Sequence, residues 1–528
     1  MLAAVGVVLL IAVVNVVNMS LARAATQRRE VSLRMALGAG RWQLVRQQLA
    51  ESSVLAVSGG LLGLMIAGML VPTVLALNPE ALPRGLEAPI HAGVLAFCAA
   101  LVLLVTLGAA LVPVLFAGSQ RLTPSLAQGD GAGSRGSVSA MRVRKGLVIA
   151  EVALSLVLLV GAALLIKSLA RTARVDTGFA TQQLLTARID LPISEYDTDA
   201  QVRFFEDLRA RLAALPRVEA VGLSSRLPLS EGTSTSSFYI EGLGDVAPEE
   251  LPAAHIRFVT PGFFAALQIP LLSGRVFDER DGVSEFGVIV DEQLAEQLWP
   301  GESALDKRIR EGQDTPWIPV VGVVGNTRHW GQQYAPTQTL YVPFRMIPSP
   351  TMMIALRSEG APTALAPTLR EVVAEIDANL PISDLQSMEQ RLASTLARPR
   401  FNTVLLTVFA AVAVTLGALG IYGTIAWSVA QRRGEIGVRM ALGALRGDVR
   451  RLVVGQGLRL TLAGVAIGIP AALVASRLLE SMLFQVEPGD PLTLATVVVV
   501  IGVVAVAASW FPALRATRVD PVTALRAD

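Results

Sequence analysis

Residues 431–444 read Gln431-Arg-Arg-Gly-Glu435-Ile-Gly-Val-Arg439-Met440-Ala-Leu-Gly443-Ala444. The stretch is charged and lies between two long apolar runs. It has a counterpart near the start of the chain, Arg28-Arg-Glu30-Val-Ser-Leu-Arg34-Met35-Ala-Leu-Gly38-Ala39. Glu30 and Glu435 are 405 positions apart (435 − 30), and the same offset pairs Arg34 with Arg439, Gly38 with Gly443 and Arg41 with Arg446. The run Arg-Met-Ala-Leu-Gly-Ala is identical in both. A match of that length at a fixed offset marks an internal duplication.

A short arginine-bearing segment between two apolar runs cannot enter the bilayer, because burying arginine there costs several kcal/mol. It has to lie at the membrane surface. Ile436, Met440 and Gly443 recur at i, i+4, i+7 spacing, which predicts a short helix with one apolar face. Glu435 and Arg439 are spaced for an i, i+4 ion pair beside that face. Gly38 and Gly443 stand where a left-handed cap ends such a helix. A compact helix of this kind can be held in the groove of a soluble partner. The plain alternative is a basic segment attracted to anionic lipid. Lipid attraction needs no fixed spacing, so the repeated Glu-x-x-x-Arg-x-x-x-Gly order favours a protein partner.

The composition is that of a membrane protein. Of the 528 residues 52% are apolar and 17% charged, and the mean hydropathy is +0.54. About 20 apolar residues cross the hydrocarbon core as a helix. Runs of that length are read at 1–19, 49–77, 91–116, 146–166, 402–427, 452–478 and 491–513, which gives about seven spans. The short segments 23–46, 118–145 and 428–451 are rich in arginine and are expected in the cytoplasm. Loops 78–92 and 479–490 hold Glu80, Glu87, Glu480, Glu487 and Asp490 against one arginine, Arg84, and are expected outside. That orientation also puts residues 168–396 outside. The expected domains are 1–117 with three spans, a cytoplasmic linker at 118–145, a single transmembrane helix at 146–167, an outer domain at 168–396 and a second membrane domain at 397–528. Gly129-Asp-Gly-Ala-Gly-Ser-Arg-Gly within the linker has the composition of a flexible tether.

The outer segment is polar and punctuated by proline, and reads as α+β. Leu185, Ala187, Ile189 and Leu191 alternate as on a half-buried strand. Gly287-Val-Ile-Val and Trp317-Ile-Pro-Val-Val-Gly-Val-Val read as buried strands. Val202, Phe205, Leu208 and Leu212 share a helical face, as do Leu365, Leu369, Val372 and Ile376.

A second feature is repeated at the same offset: Gly59-x-x-x-Gly63 and Gly464-x-x-x-Gly468. Small residues four apart allow close helix contact in lipid, so these glycines are expected in a packing seam between the two halves. Glu51 and Glu151 lie in or near spans, where an acid is a functional candidate by default; both are also close to basic segments, where a carboxylate can snorkel to the interface. No acid, base, nucleophile or metal constellation emerges. Cys98 is the sole cysteine and the histidines are His91, His255 and His329, so neither a disulfide nor a metal cluster is expected. Gly161-Ala-Ala-Leu-Leu-Ile-Lys167-Ser168 has isoleucine where a phosphate-binding loop requires its second glycine. The sequence thus offers no catalytic residues and no cofactor site, and ATP would have to be bound by a separate subunit.

One span, a large outer domain and then three spans resembles the MacB/FtsX-type permeases of ABC transporters. The charged stretches resemble their coupling helices. The outer segment resembles the MacB-type periplasmic core domain, notably at Val259-Thr-Pro-Gly-Phe-Phe-Ala-Ala-Leu-Gln-Ile-Pro-Leu-Leu-Ser-Gly-Arg275-Val-Phe, Leu298-Trp-Pro-Gly and Val320-Val-Gly-Val-Val-Gly325. Arg398-Pro-Arg-Phe401, entering the next span, fits as well. The duplication looks like the double-length orphan permeases first noted in acidobacteria. In those proteins each half has four spans and its own outer domain. Met1 aligns with residue 406 (1 + 405), so the expectation is a chain without an N-terminal span and outer domain.

The resemblance implies a polytopic α-helical inner-membrane protein with an α+β periplasmic core domain and two FtsX-like permease domains. It also implies a cytoplasmic ABC ATPase as partner, docked on Glu30, Arg34, Met35, Gly38, Glu435, Arg439, Met440 and Gly443. ATP binding would move these helices, and the spans would carry the motion to the outer domain to extrude a substrate. A periplasmic adaptor, an outer-membrane channel, a homodimer or a pseudo-dimer of the two halves are further expected partners, alongside membrane lipid; nucleic acid is not one. The alternative reading is an FtsX-like regulatory scaffold that activates an envelope hydrolase without transport.

Overall fold

A computed structural model describes residues 2–26, 41–77, 92–118, 134–230, 232, 234–242 and 247–517. They fall into two compact units, one drawn from Met1–Arg171 with Pro399–Asp528 and the other from Thr172–Arg398.

Among the described residues the first unit opens with four helices: α1 (Leu2–Thr26), α2 (Arg41–Leu77), α3 (Ala92–Gly118) and α4 (Ser134–Thr172). All are dense in leucine, valine and alanine, which no soluble face interrupts. Helix α4 begins inside the stretch read as a flexible linker. In its third turn Arg144, only 2% exposed, hydrogen-bonds Asn18 at 2.9 Å and lies over the Trp427 ring, 4.6 Å from its centre.

Among its described residues the second unit carries twelve strands and five α-helices: β1 (Leu184–Asp190), α5 (Thr198–Ala213), β2 (Val218–Ser224), β3 (Thr235–Ser237), β4 (Tyr239–Ile240), β5 (Ala253–Val259), α6 (Phe263–Leu267), β6 (Leu271–Gly274), β7 (Val288–Asp291), α7 (Glu292–Leu298), β8 (Arg308–Arg310), β9 (Ile318–Val324), β10 (Thr339–Pro343), β11 (Thr351–Ser358), α8 (Ala366–Ile376), β12 (Ile382–Ser387) and α9 (Met388–Thr395). The strand order is β12-β1-β11-β2-β5-β10-β7-β9-β8-β4, with β3 on β5 and β6 on β9. Strands β5 and β10 are parallel, as are β7 and β9; β1, β11 and β2 run antiparallel. At one end Phe204, Phe205, Leu208 and Leu212 of α5 and Leu369, Val372 and Val373 of α8 cover the sheet. Strand β1 is buried on both faces over its first four residues. Thr186, in an expected outward position, is therefore enclosed, and it donates to the Gln386 carbonyl.

The Val259–Phe277 motif has a steric explanation. Gly262 adopts φ +88°, and a Cβ there would lie 2.4 Å from the Val221 carbonyl oxygen. The close approach lets Phe263 and Phe264 turn inward beneath β2 and pack on Tyr341. Arg275 then closes the following loop with two bonds to Asp281, at 2.7 and 2.9 Å, and one to Glu285 at 2.9 Å.

The chain returns to the first unit as α10 (Ala397–Gln431), α11 (Arg433–Ala441), α12 (Arg446–Arg477) and α13 (Pro491–Ala516). Val148, Val152, Leu156, Val160 and Leu164, four residues apart, form the inner stripe of α4; they pack with Ile421 and Ile425 of α10, Val453 and Val465 of α12, and Val497 and Ile501 of α13. Among the described residues six stretches are long and apolar enough to cross a membrane: Leu2–Leu21, Leu49–Pro72, Met141–Thr172, Ala397–Gln431, Arg446–Arg477 and Pro491–Ala516. The remaining expected span is α3, apolar over Ala92–Gly108. The duplication is visible in helix positions: α2 begins at Arg41 and α12 at Arg446, again 405 apart (446 − 41).

Candidate functional site

Helix α11 is the repeated charged stretch in its second copy. The backbone breaks at Arg432, with φ −104° and ψ 19°, and so separates α11 from the span before it. Arg432 turns back onto Glu435 with two bonds of 2.7 Å. Arg439 meets the same carboxylate at 2.8 Å. Glu435 is thus held by two guanidinium groups, where the spacing alone suggested one. The Arg432 hydrogen bonds hold its carboxyl below the usual carboxylate range. The pairs are solvent-exposed, so they fix shape more than they stabilise.

The helix ends as expected at a glycine. Gly443 has φ +97°, its N–H reaches the Met440 carbonyl at 3.1 Å, and the Ala444 N–H reaches the Arg439 carbonyl at 3.0 Å. These two crossed bonds form a Schellman cap, which reverses the chain into α12.

The orientation of the helix differs from the sequence expectation in one respect. Ile436 is 4% exposed, and it and Met440 pack into the chain's own membrane core with Val449 and Val453. The apolar face is therefore spent on holding α11 to the chain's own membrane helices. What faces outward is Arg433, Val438, Arg439, Leu442 and Leu445, with Leu442 83% and Leu445 72% exposed. Two leucines beside two arginines form an apolar knuckle with a basic rim. Of the first copy, Glu30, Arg34, Met35 and Gly38 lie outside the described residues.

The glycine pairs diverge between copies. A Cβ on Gly464 would lie 2.7 Å from Val152 Cβ and 3.0 Å from the Ile149 carbonyl oxygen; one on Gly468 would lie 3.1 Å from Ala153 Cα. Both glycines thus let α12 press onto α4, which belongs to the same half of the duplication. Gly59 and Gly63 have nothing within 4 Å of such a Cβ. They line an apolar groove of about 950 Å³ with Leu55, Cys98 and Val102.

The first copy meets the second along a different line, apolar with two asparagines set into it. Asn15 Nδ2 donates to the Leu416 carbonyl at 2.8 Å, and Asn18 Nδ2 lies 3.4 Å from Thr424 Oγ1. Ile11 packs with Leu158, Leu406 and Ala410 beside them. Glu151 lies fully buried between α4 and α10. Its carboxyl fills the space over Gly420, and neither oxygen has a hydrogen-bond partner among the described residues. It does not snorkel, which sets aside that alternative of the sequence reading. Glu51 is exposed and bonded to Gln47 at 3.2 Å. Among the described residues no three His, Cys, Asp or Glu side chains gather as a metal site.

Comparison with known proteins agrees with this architecture. The model of the FtsX-like permease C-terminal family matches residues 2–121 and again 407–521. The two matches begin 405 positions apart (407 − 2). The model of the MacB-like periplasmic core domain matches residues 146–372. The chain is 26% identical over 332 residues to the macrolide export ATP-binding/permease protein MacB 1/2 of Paracoccus denitrificans, covering 60% of this chain and 46% of that one. It is 24% identical over 428 residues to the macrolide export ATP-binding/permease protein MacB of Agrobacterium fabrum, covering 77% of this chain and 64% of the relative. With the uncharacterized ABC transporter permease YknZ of Bacillus subtilis it shares 25% identity over 293 residues, 53% of this chain and 71% of the other. The chain therefore spans about half to two thirds of the length of the first two.

Proposed function

This chain belongs to the MacB/FtsX-type permeases of ABC transporters, a multi-pass family of the cell membrane, and from that premise we propose that it works by mechanotransmission. A separate cytoplasmic ATPase moves α11, the membrane helices carry the movement, and the unit Thr172–Arg398 uses it outside the membrane to extrude a substrate. The observation that supports this most is the build of α11. It is short, ended by a Schellman cap, and anchored through Ile436 in the chain's own membrane core, yet it leaves Arg439, Leu442 and Leu445 to a partner. A lipid anchor would point its apolar residues at the bilayer and need no Schellman cap. A lever that must not slip needs both features.

The basic rim gives the partner's chemistry: an acidic groove with an apolar floor, on a soluble ATPase. The Paracoccus denitrificans and Agrobacterium fabrum relatives are named ATP-binding/permease proteins. Residues 1–528 hold no glycine-rich loop closing on Lys-Ser or Lys-Thr in the phosphate-binding pattern, so the nucleotide is bound elsewhere. The test is capture of an ABC ATPase by the full chain. Arg439→Glu together with Leu442→Glu should reduce capture at least tenfold. Undiminished capture would refute the docking role of α11.

A further inference from the structure

The outer end of α4 is tied to the loop that joins α12 to α13. Lys167 Nζ is 2.7 Å from Asp490 Oδ2, with both side chains largely enclosed. One residue on, Ser168 Oγ accepts the Phe484 N–H at 2.8 Å and is 4% exposed. One turn on, Arg171 Nη1 donates to the Gln485 carbonyl. Gln485 is itself held at φ +52°, a backbone state that a residue with a side chain keeps only when its surroundings impose it. Leu483 and Val486 pack against the α4 core on either side of these contacts, and Leu479 approaches Gly161 below them. Asp490 also caps α13 by accepting the Thr493 N–H at 3.0 Å.

These contacts occupy a particular place in the chain. Helix α12 begins three residues after the Schellman cap of α11 and runs for 32 residues, about 48 Å at 1.5 Å per residue. Its far end leads straight into the tied loop. Helix α4 ends at Thr172, where the second unit begins. A loop serving only to connect two spans could be short and solvated. This one brings a carboxylate, a backbone N–H and a backbone carbonyl to positions 167, 168 and 171 of a helix from another part of the chain.

We propose that Lys167, Ser168 and Arg171 form a latch through which α12 hands the displacement of α11 to α4, and so to the chain segment entering the outer unit. The proposal rests on the mechanotransmission reading and names the residues that carry its second half. Asp490 is the fixed post. The α13 cap holds its carboxylate in place, and Lys167 engages it. Lys167 is a positioning residue: it touches neither nucleotide nor substrate.

Two measurements test it on the full chain in lipid nanodiscs. The first needs no ATPase. Hydrogen exchange at the Phe484 and Gln485 amides should rise at least fivefold in Lys167→Met with Arg171→Met, while exchange in α11 stays unchanged. Unchanged exchange at both amides would mean that the loop stands without the latch, and would overturn the proposal. The second uses the ATPase captured on α11. ATP should alter exchange over residues 172–190 in the unmodified chain. In Lys167→Met/Asp490→Asn the ATPase should still bind and turn over while that alteration falls by more than half. A disulfide between Lys167→Cys and Asp490→Cys, in a Cys98→Ala background, should restore it. Persistence of the full ATP response in Lys167→Met/Asp490→Asn would overturn the latch while leaving α11 docking intact. Loss of ATPase binding to the unmodified chain would instead count against the function reading.

Discussion

Gly420 makes the room that the Glu151 side chain occupies: a Cβ at position 420 would lie 2.0 Å from Glu151 Oε2. The two residues sit on α10 and α4, the helices that leave and enter the outer unit. One turn further along α4, Ser155 Oγ donates to the Ala413 carbonyl at 2.9 Å, so the seam between these helices is close and partly polar. Gly420→Ala should therefore destabilise the protein by roughly 1–3 kcal/mol, the usual cost of overpacking. Adding Glu151→Ala should recover most of the loss. Thermal unfolding in detergent of the two single variants and the double variant measures the coupling. Additive effects would show that the two residues do not share the space.

The duplicated glycine pairs should respond with opposite signs. Alanine is the better helix former by about 1 kcal/mol, so Gly59→Ala and Gly63→Ala should be neutral or mildly stabilising, given open space around both. Gly464→Ala and Gly468→Ala push a methyl into Val152 and Ala153 and should lower the melting temperature by several degrees. Melting curves of the four variants under one detergent condition decide this.

Much of the architecture was legible in the sequence, for physical reasons. Membrane helices announce themselves by length and hydropathy, and a duplicated arginine stretch announces itself by offset. The cap at Gly443 followed from its place after the last periodic residue. The inward turn of Ile436 did not, because an apolar face says that something covers it but not which surface. Asn15, Asn18, Arg144 and Glu151 were opaque in another way. Near the end of a span a polar residue looks like one reaching for the interface, and only the fold shows that Asn15 finds Leu416, 401 residues away. In the sequence Lys167 stands out only by its place in an incomplete phosphate-binding pattern. Its partner, Asp490, was counted as just another loop acid.

The outer unit should carry two opposing pH dependences. Asp291 is fully buried and its carboxyl is pushed up from 3.8 to about 7 by that burial. The folded state then holds a proton that the unfolded state releases, so this contribution falls as pH rises from about 4 to 7. His329 is pushed down from 6.5 to about 3 by burial. Its contribution is present above 6.5 and is lost as pH falls toward 3. Between pH 4 and 6.5 the two largely cancel. His329→Gln should expose the Asp291 slope, losing up to about 1.4 kcal/mol per pH unit as pH rises. Asp291→Asn should show the reverse slope. Chemical denaturation of the full chain from pH 4 to 7.5, followed by outer-unit tryptophan fluorescence, measures both.

Replacing the cap glycine should loosen the lever without unfolding the bundle. Gly443 sits at φ +97° with open space around it, so the cost of Gly443→Val is backbone strain, roughly 1–2 kcal/mol. Gly443→Asn should be milder, since asparagine tolerates the left-handed region. ATPase capture should fall in the order glycine, asparagine, valine, with the melting temperature shifting by only a few degrees.

The most direct test of the account asks on which side of the membrane α11 lies. In a Cys98→Ala background, Leu442→Cys and Phe286→Cys each place one exposed thiol, on α11 and on the outer unit respectively. A membrane-impermeant maleimide applied to intact spheroplasts should label position 286 and not 442, and should label 442 once the membrane is permeabilised. Labelling of position 442 in intact spheroplasts, with 286 protected, would contradict the placement of the lever in the cytosol and the mechanism built on it.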